Sequence, residues 1–136
     1  MKKILLAALL GSLASASFAD VEDVCTGTTA TTFKVEAADT PASGTADTRF
    51  IKSDFNFNCS ANSILLYEEQ GATLLTVGAA SVKGNEYFGG HTDGGAVTSY
   101  GKCADSKGCV TADATTGNTE AKEKADATST GGGDGD

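Results

Sequence analysis

The sequence has no tryptophan, one proline, one histidine, and ten basic residues against eighteen acidic ones. Each shortage removes something. Without tryptophan, a folded core must be built from smaller side chains. A single histidine, His91, with no CxxC pair leaves no ordinary zinc ligand set. The nucleophile elbow GxSxG and the phosphate-cradling patterns GxGxxG and GxxxxGK are all absent, and no cofactor is expected. The net charge of −8 is the wrong sign for nucleic acid, whose backbone demands a basic footprint. It is equally wrong for an anionic membrane surface.

What is present begins with the first nineteen residues, "MKKILLAALLGSLASASFA". Lys2 and Lys3 precede an apolar run from Ile4 to Leu10, and Ser17 and Ala19 supply small side chains before a cut. This is the pattern of a bacterial Sec-type secretory signal peptide. The run is too short for a membrane anchor, which needs about 20 apolar residues. The first cysteine is Cys25, too far on to carry a lipid anchor at the cut. Cleavage after Ala19 leaves 136 − 19 = 117 residues with 8 basic and 18 acidic side chains, a net charge of −10. That balance favours solubility.

At the other end, residues 114–136 read "ATTGNTEAKEKADATSTGGGDGD" and contain no large apolar side chain. Such a stretch has little to offset the entropy of ordering, so residues 113–136 are expected to be a disordered acidic tail. Glu120 and Lys124, spaced i, i+4, favour only a marginal turn or two of helix. The closing "GGDGD" is a single incomplete copy of a calcium-repeat pattern that binds only when stacked.

Residues 20–112 remain as one domain of modest core. Four cysteines in an exported chain read as two disulfides. Cys103 and Cys109 enclose "ADSKG", which favours a tight turn, so they are expected to pair, leaving Cys25 with Cys59. Cys25–Cys109 with Cys59–Cys103 is the chief alternative. Alternation and β-branched content mark strands in "TTATTFKVEA" (28–37) and "TRFIKSDFNFNCS" (48–60). In the second, Phe55, Phe57 and Cys59 share a face and are expected to point into the core. "SILLYEE" and "ATLLTVGAASV" follow as a hairpin about "QGA", then "EYFGG" and "GAVTSYGKC". The expected fold is mainly β: a small disulfide-bonded antiparallel β-sandwich or barrel of about six strands. Residues 38–48, "ADTPASGTADT", carry the single proline and read as a surface loop.

The stretch "YFGGHTDGGAVTSYGKC" (87–103) resembles a site more than any other. His91 and Asp93, with Tyr87 or Tyr100 nearby, are the candidate ligand-binding residues. A metal there needs a third ligand, such as Glu86 or Asp105, and none is fixed by the spacing. The simpler reading is a hairpin whose polar tip is bracketed by glycines. Glu68 and Glu69 are adjacent, so in a strand they face opposite ways and do not form a catalytic pair. "NCS" at Asn58 matches a glycosylation acceptor but lies within a strand of a chain with a bacterial leader.

No catalytic set emerges, and no motif fixes a family. The expected function is an exported, non-enzymatic structural or recognition protein of the bacterial envelope or cell surface. Its partners would be further copies of itself or another envelope protein, with no nucleic acid and no membrane span after signal cleavage. The alternative is a periplasmic small-ligand or metal-binding protein using the loop around His91. Donor-strand assembly is disfavoured, because only residues 20–24 precede Cys25 and the tail is polar.

Overall fold

The computed structural model describes residues 21–37 and 49–130. The expected signal peptide (1–19), the expected loop at 38–48 and residues 131–136 lie outside the described residues. Seven strands precede one helix: β1 (Val21–Thr26), β2 (Thr31–Val35), β3 (Phe55–Cys59), β4 (Ser63–Gln70), β5 (Leu74–Ser81), β6 (Glu86–His91), β7 (Thr98–Lys102) and α1 (Thr111–Thr130). Five strands form an antiparallel sheet in the order β1-β4-β5-β6-β7, and β2 pairs with β3 as a separate antiparallel ribbon. The expected mainly β, disulfide-held fold is present. Its layers are a helix on one face of the large sheet and the ribbon against part of the other.

β4 to β7 form a meander because each connection is short. Gly71 and Gly94 take φ of +72° and +74° in the turns after β4 and β6, where a side chain would be strained. β1 lies at the edge beside β4 and carries a bulge between Asp23 and Cys25. It was not singled out in the sequence, where its Glu22 and Asp23 interrupt any apolar alternation. The strand expected over 48–60 is ordered as β only from Phe55.

Both expected disulfides are formed, Cys25–Cys59 and Cys103–Cys109. Cys25–Cys59 ties β3 to β1 and sits in a small core with Val24, packed by Phe33, Leu65 and Tyr67. Cys103–Cys109 belongs to the main core with Ile64, Leu66, Ala80 and Ala114. Cys59 is buried as expected, but Phe55 and Phe57 on the same strand face are 47% and 40% exposed. A two-stranded ribbon hung from one disulfide has too little sheet beneath it to enclose both rings.

The larger correction concerns the C-terminus. Residues 111–130, which include most of the tail expected to be disordered (113–136), form a continuous helix packed on the sheet. Its buried stripe is Ala114, Gly117, Asn118, Ala121 and Ala125, at the i, i+3/i+4 spacing of one helix face. The stripe holds nothing large because the sheet beneath it is equally bare. A Cβ on Gly78 would collide with the Ala114 carbonyl oxygen, and one on Gly89 with that of Gly117. Helix backbone thus rests directly on strand backbone, and dispersion over a close contact replaces large apolar side chains. The first turn is capped by Asp113, whose carboxylate accepts from Val110 N at 2.8 Å and Ala104 N at 3.2 Å. That bond back to the residue before the helix satisfies an N-terminal donor, and the charge suits the helix dipole.

Two expectations follow. Gly78→Val should lower unfolding free energy by about 3 kcal/mol through overpacking and lower the helical circular dichroism, since it lifts α1 off the sheet. Replacing Cys25 and Cys59 together by serine should cost about 4 kcal/mol in denaturant unfolding, against about 2 kcal/mol for Cys103 and Cys109, because the first pair closes the longer loop.

Candidate functional site

Alternation along the strands sorts side chains between two faces of the large sheet. The inner face, under α1, receives Ile64, Leu66 and Glu68 from β4, and Thr76, Gly78 and Ala80 from β5. The register places Glu68 opposite Thr76 and Thr76 opposite His91, so these three form a polar row across β4, β5 and β6. Helix α1 closes over the row. Asn118 Nδ2 donates to Glu68 Oε2 at 3.0 Å, and Lys122 Nζ donates to Glu68 Oε1 at 2.7 Å. Glu68 is therefore a buried anchor for one helix face. Thr76 Oγ1, Asn118 Oδ1 and His91 Nδ1 are enclosed without a hydrogen-bond partner among the described residues.

The residues singled out in the sequence are spread along this interface. Tyr87 lies at the far end of β6 from His91, and its hydroxyl donates to Glu120 Oε1 at 3.0 Å. That bond raises the Tyr87 pKa above its ordinary value of 10.0. Tyr100 lies under Lys124, whose ammonium is 4.2 Å from the ring centroid. Both tyrosines are thus engaged by α1. Glu120 and Lys124, which the sequence pairs with each other, reach instead to separate rings on the sheet. The His91 ring packs against Gly95 of its own loop, while Asp93 is exposed at the tip. The structure brings His91 beside Thr76 and does not bring Asp93, Tyr87 and Tyr100 into one constellation with it. Glu86 accepts from the Ser99 hydroxyl at 3.1 Å, and the Asp105 carboxylate accepts from Lys107 N at 2.9 Å.

Cys103, Cys109 and Asp113 also lie close together and buried. Their geometry is that of a disulfide beside a helix cap, with the sulfurs bonded to one another and the carboxylate taken by two backbone donors. No thiolate is available there for a metal while the bond stands.

The outer face differs. Over β1 and β4 it is covered by the ribbon and by residues 49–51. Glu69, facing away from Glu68, receives Arg49 Nη2 at 2.7 Å and Phe50 N at 2.7 Å, pinning that segment to the end of β4. Burial alone would raise the Glu69 pKa, but Arg49 and the two backbone donors outweigh it and hold the carboxyl below its ordinary value of 4.5. Over β5, β6 and β7 the outer face is open. Ala79 pairs with Phe88 and Val77 with Gly90, and Val97 folds over Gly90. Phe88 is 38% exposed and Val97 65%. The other end of this face is polar, with Ser99 opposite Phe88 and Glu86 opposite Lys102, so the apolar part is confined to β5, β6 and the loop at Val97. The open half-sheet is the candidate functional surface. Both faces of β5 carry apolar or small residues, so alternation alone could not tell which face would be covered.

No family model, curated protein or solved structure matches the chain.

Because the folded pKa of Glu69 is depressed, its contribution to stability is complete above about pH 4.5 and is lost as pH falls through the folded value. Glu69→Gln should flatten the acid limb of a stability-against-pH profile. An unchanged acid limb would show that the Arg49 clamp does not couple to folding.

Proposed function

We propose that this chain is an exported, non-enzymatic structural or recognition protein of the bacterial envelope or cell surface. The observation that carries the reading is the apolar part of the open half-sheet, where Phe88 and Val97 face solvent beside Val77 and Ala79. Exposed apolar patches on soluble proteins mark interaction sites. The two disulfides suggest a non-reducing, exported environment, in keeping with the leader-like N-terminus. No helix among the described residues is long and apolar enough to cross a membrane.

The titratable groups of the inner face have structural work to do. Glu68, Glu120, Lys122 and Lys124 each hold α1 to the sheet. Glu68 is enclosed by the helix that it binds, and Glu120, Lys122 and Lys124 reach from that helix to the sheet, which favours a scaffold over a pocket for a small ligand.

Fractionation of the native host, with native electrophoresis under non-reducing conditions, tests the reading. High-mass material in the surface-sheared fraction is the expected result for a surface subunit. Recovery with the cytoplasm, with thiols free to alkylation, overturns export.

A further inference from the structure

We infer that Cys103 and Cys109, once their disulfide is reduced, form with Asp113 a binding site for one thiophilic divalent cation of the zinc class. The two thiolates and the Asp113 carboxylate are the protein ligands. This site goes beyond the surface reading above and does not depend on it.

Three observations carry it. First, the ligand atoms are already gathered. The sulfurs of Cys103 and Cys109 and a carboxylate oxygen of Asp113 all lie within 4.8 Å of one another, and all three residues are buried. A tetrahedral zinc ion with bonds of about 2.0 to 2.3 Å needs ligand atoms about 3.2 to 3.8 Å apart, so small side-chain rotations suffice. Three protein ligands with a water in the fourth position are an ordinary zinc set. Among the described residues no other three His, Cys, Asp or Glu side chains come as close. The spacing Cys-x5-Cys-x3-Asp is no ordinary zinc pattern in sequence. The first turn of α1 is what folds Asp113 back onto the pair.

Second, the backbone holds both cysteines independently of the bond between their sulfurs. Cys103 N donates to Asn85 O at 2.9 Å, and Cys109 N donates to Ser81 O at 3.1 Å. The end of β5 and the turn after it thus fix both residues. Gly108 lies so close to Val82 that a Cβ would collide with the Val82 carbonyl oxygen. Opening the disulfide therefore leaves two thiols facing each other across a held gap, not two loose chain ends.

Third, the surroundings suit a cation. The two Asp113 oxygens accept from Ala104 N and Val110 N, the residues that follow the two cysteines. Each oxygen keeps a further lone pair, and ligating carboxylates are themselves hydrogen-bonded in this way. Gly84 O and Glu86 O lie 3.5 Å and 3.4 Å from the Cys109 sulfur. With two thiolates added, a pocket so rich in acceptor atoms favours a positive ion at its centre. Soft thiolate ligands select zinc over magnesium or calcium. Two thiolates and a carboxylate around a divalent ion keep a net negative charge, which suits the N-terminal end of α1. Residues 104–107 above the pair are exposed and give the ion its entry. The exchange balances: a phosphine gives two electrons and becomes the phosphine oxide, water gives the oxygen and two protons, and the disulfide becomes two thiols. Zinc binding then releases the two thiol protons.

The test starts from the full chain, unfolded, reduced with a phosphine and refolded under reductant. It is titrated with Zn2+ against a chromophoric chelator, and with Co2+ for its absorption spectrum. One ion per chain is expected, with a Kd of about 1 µM or tighter. Thiolate-to-cobalt charge transfer and a higher midpoint of thermal unfolding in Zn2+ should accompany it. The oxidised protein should show none of these. Replacing Cys103 and Cys109 together by serine should abolish binding, and Asp113→Asn should weaken it about tenfold to a hundredfold. A second measurement needs no variant: Zn2+ should slow alkylation of Cys103 and Cys109, read by peptide mass spectrometry, and leave Cys25 and Cys59 as reactive as before. A reduced chain that binds no Zn2+ overturns the inference, as does one that refolds neither with nor without the ion. Protection that falls on Cys25 and Cys59 instead overturns it in favour of the other pair. Binding indifferent to Asp113→Asn overturns the three-ligand site.

Discussion

The close approach of α1 to the glycines of β5 and β6 is the contact on which the rest of the structure depends. Helix backbone meets strand backbone at Gly78–Ala114 and Gly89–Gly117, without a layer of large side chains between. This geometry lets a chain without tryptophan cover one face of a five-stranded sheet. It also makes the covering intolerant. A single methyl group on either strand glycine has nowhere to go, because the obstacle is carbonyl oxygen rather than a movable side chain.

Polar anchors follow from the same constraint. Small residues bury little apolar area, so the helix–sheet interface gains much of its specificity from groups along its length. Asp113 caps the start, Asn118 and Lys122 converge on Glu68, Glu120 takes the Tyr87 hydroxyl, and Lys124 covers Tyr100. Each fixes the rotation and register of α1 at a different point. A buried carboxylate such as Glu68 is tolerable only because two donors meet it, one of them charged. The two disulfides act on the complementary problem. Cys103–Cys109 steadies the approach to α1, and Cys25–Cys59 holds a ribbon that has no large sheet of its own.

With Glu68 and Asn118 committed inward, the molecule presents outward a half-sheet whose β5–β6 part is apolar. The asymmetry of coverage makes this surface. The ribbon and the Arg49–Glu69 clamp occupy the β1–β4 half, while the outer face of β5, β6 and β7 is reached among the described residues by the loop at Val97. The reading as an interaction protein rests on that asymmetry, and it places the function on a surface rather than in a pocket.

Much of this was legible in the residues. The turn chemistry of "ADSKG" and the inward aim of Cys59 lead to the observed disulfide pairing. Alternation and β-branched content lead to β4 to β7, and the glycine-bracketed "HTDGG" to the loop between the last two. Opposite facing of Glu68 and Glu69 follows from period alone, and each carboxylate has its own partner on its own face. These are local properties, set by φ/ψ preference and side-chain alternation. The helix was not legible, because a stripe of Ala114, Gly117, Asn118, Ala121 and Ala125 has the right period but no apolar bulk. Its stabilisation comes from glycines some thirty residues away in sequence, and no local window contains both. The same holds for His91, Asp93, Tyr87 and Tyr100. Sequence made them neighbours on a loop and its flanking strands, but only the docking of α1 decided that the tyrosines would serve the helix while Asp93 stayed in solvent. The sequence by itself determined most of the strands, β1 excepted, together with the turns and the covalent framework. Tertiary structure decided what covers each face, because coverage depends on how closely two backbones can approach, and that is a property of pairs of elements.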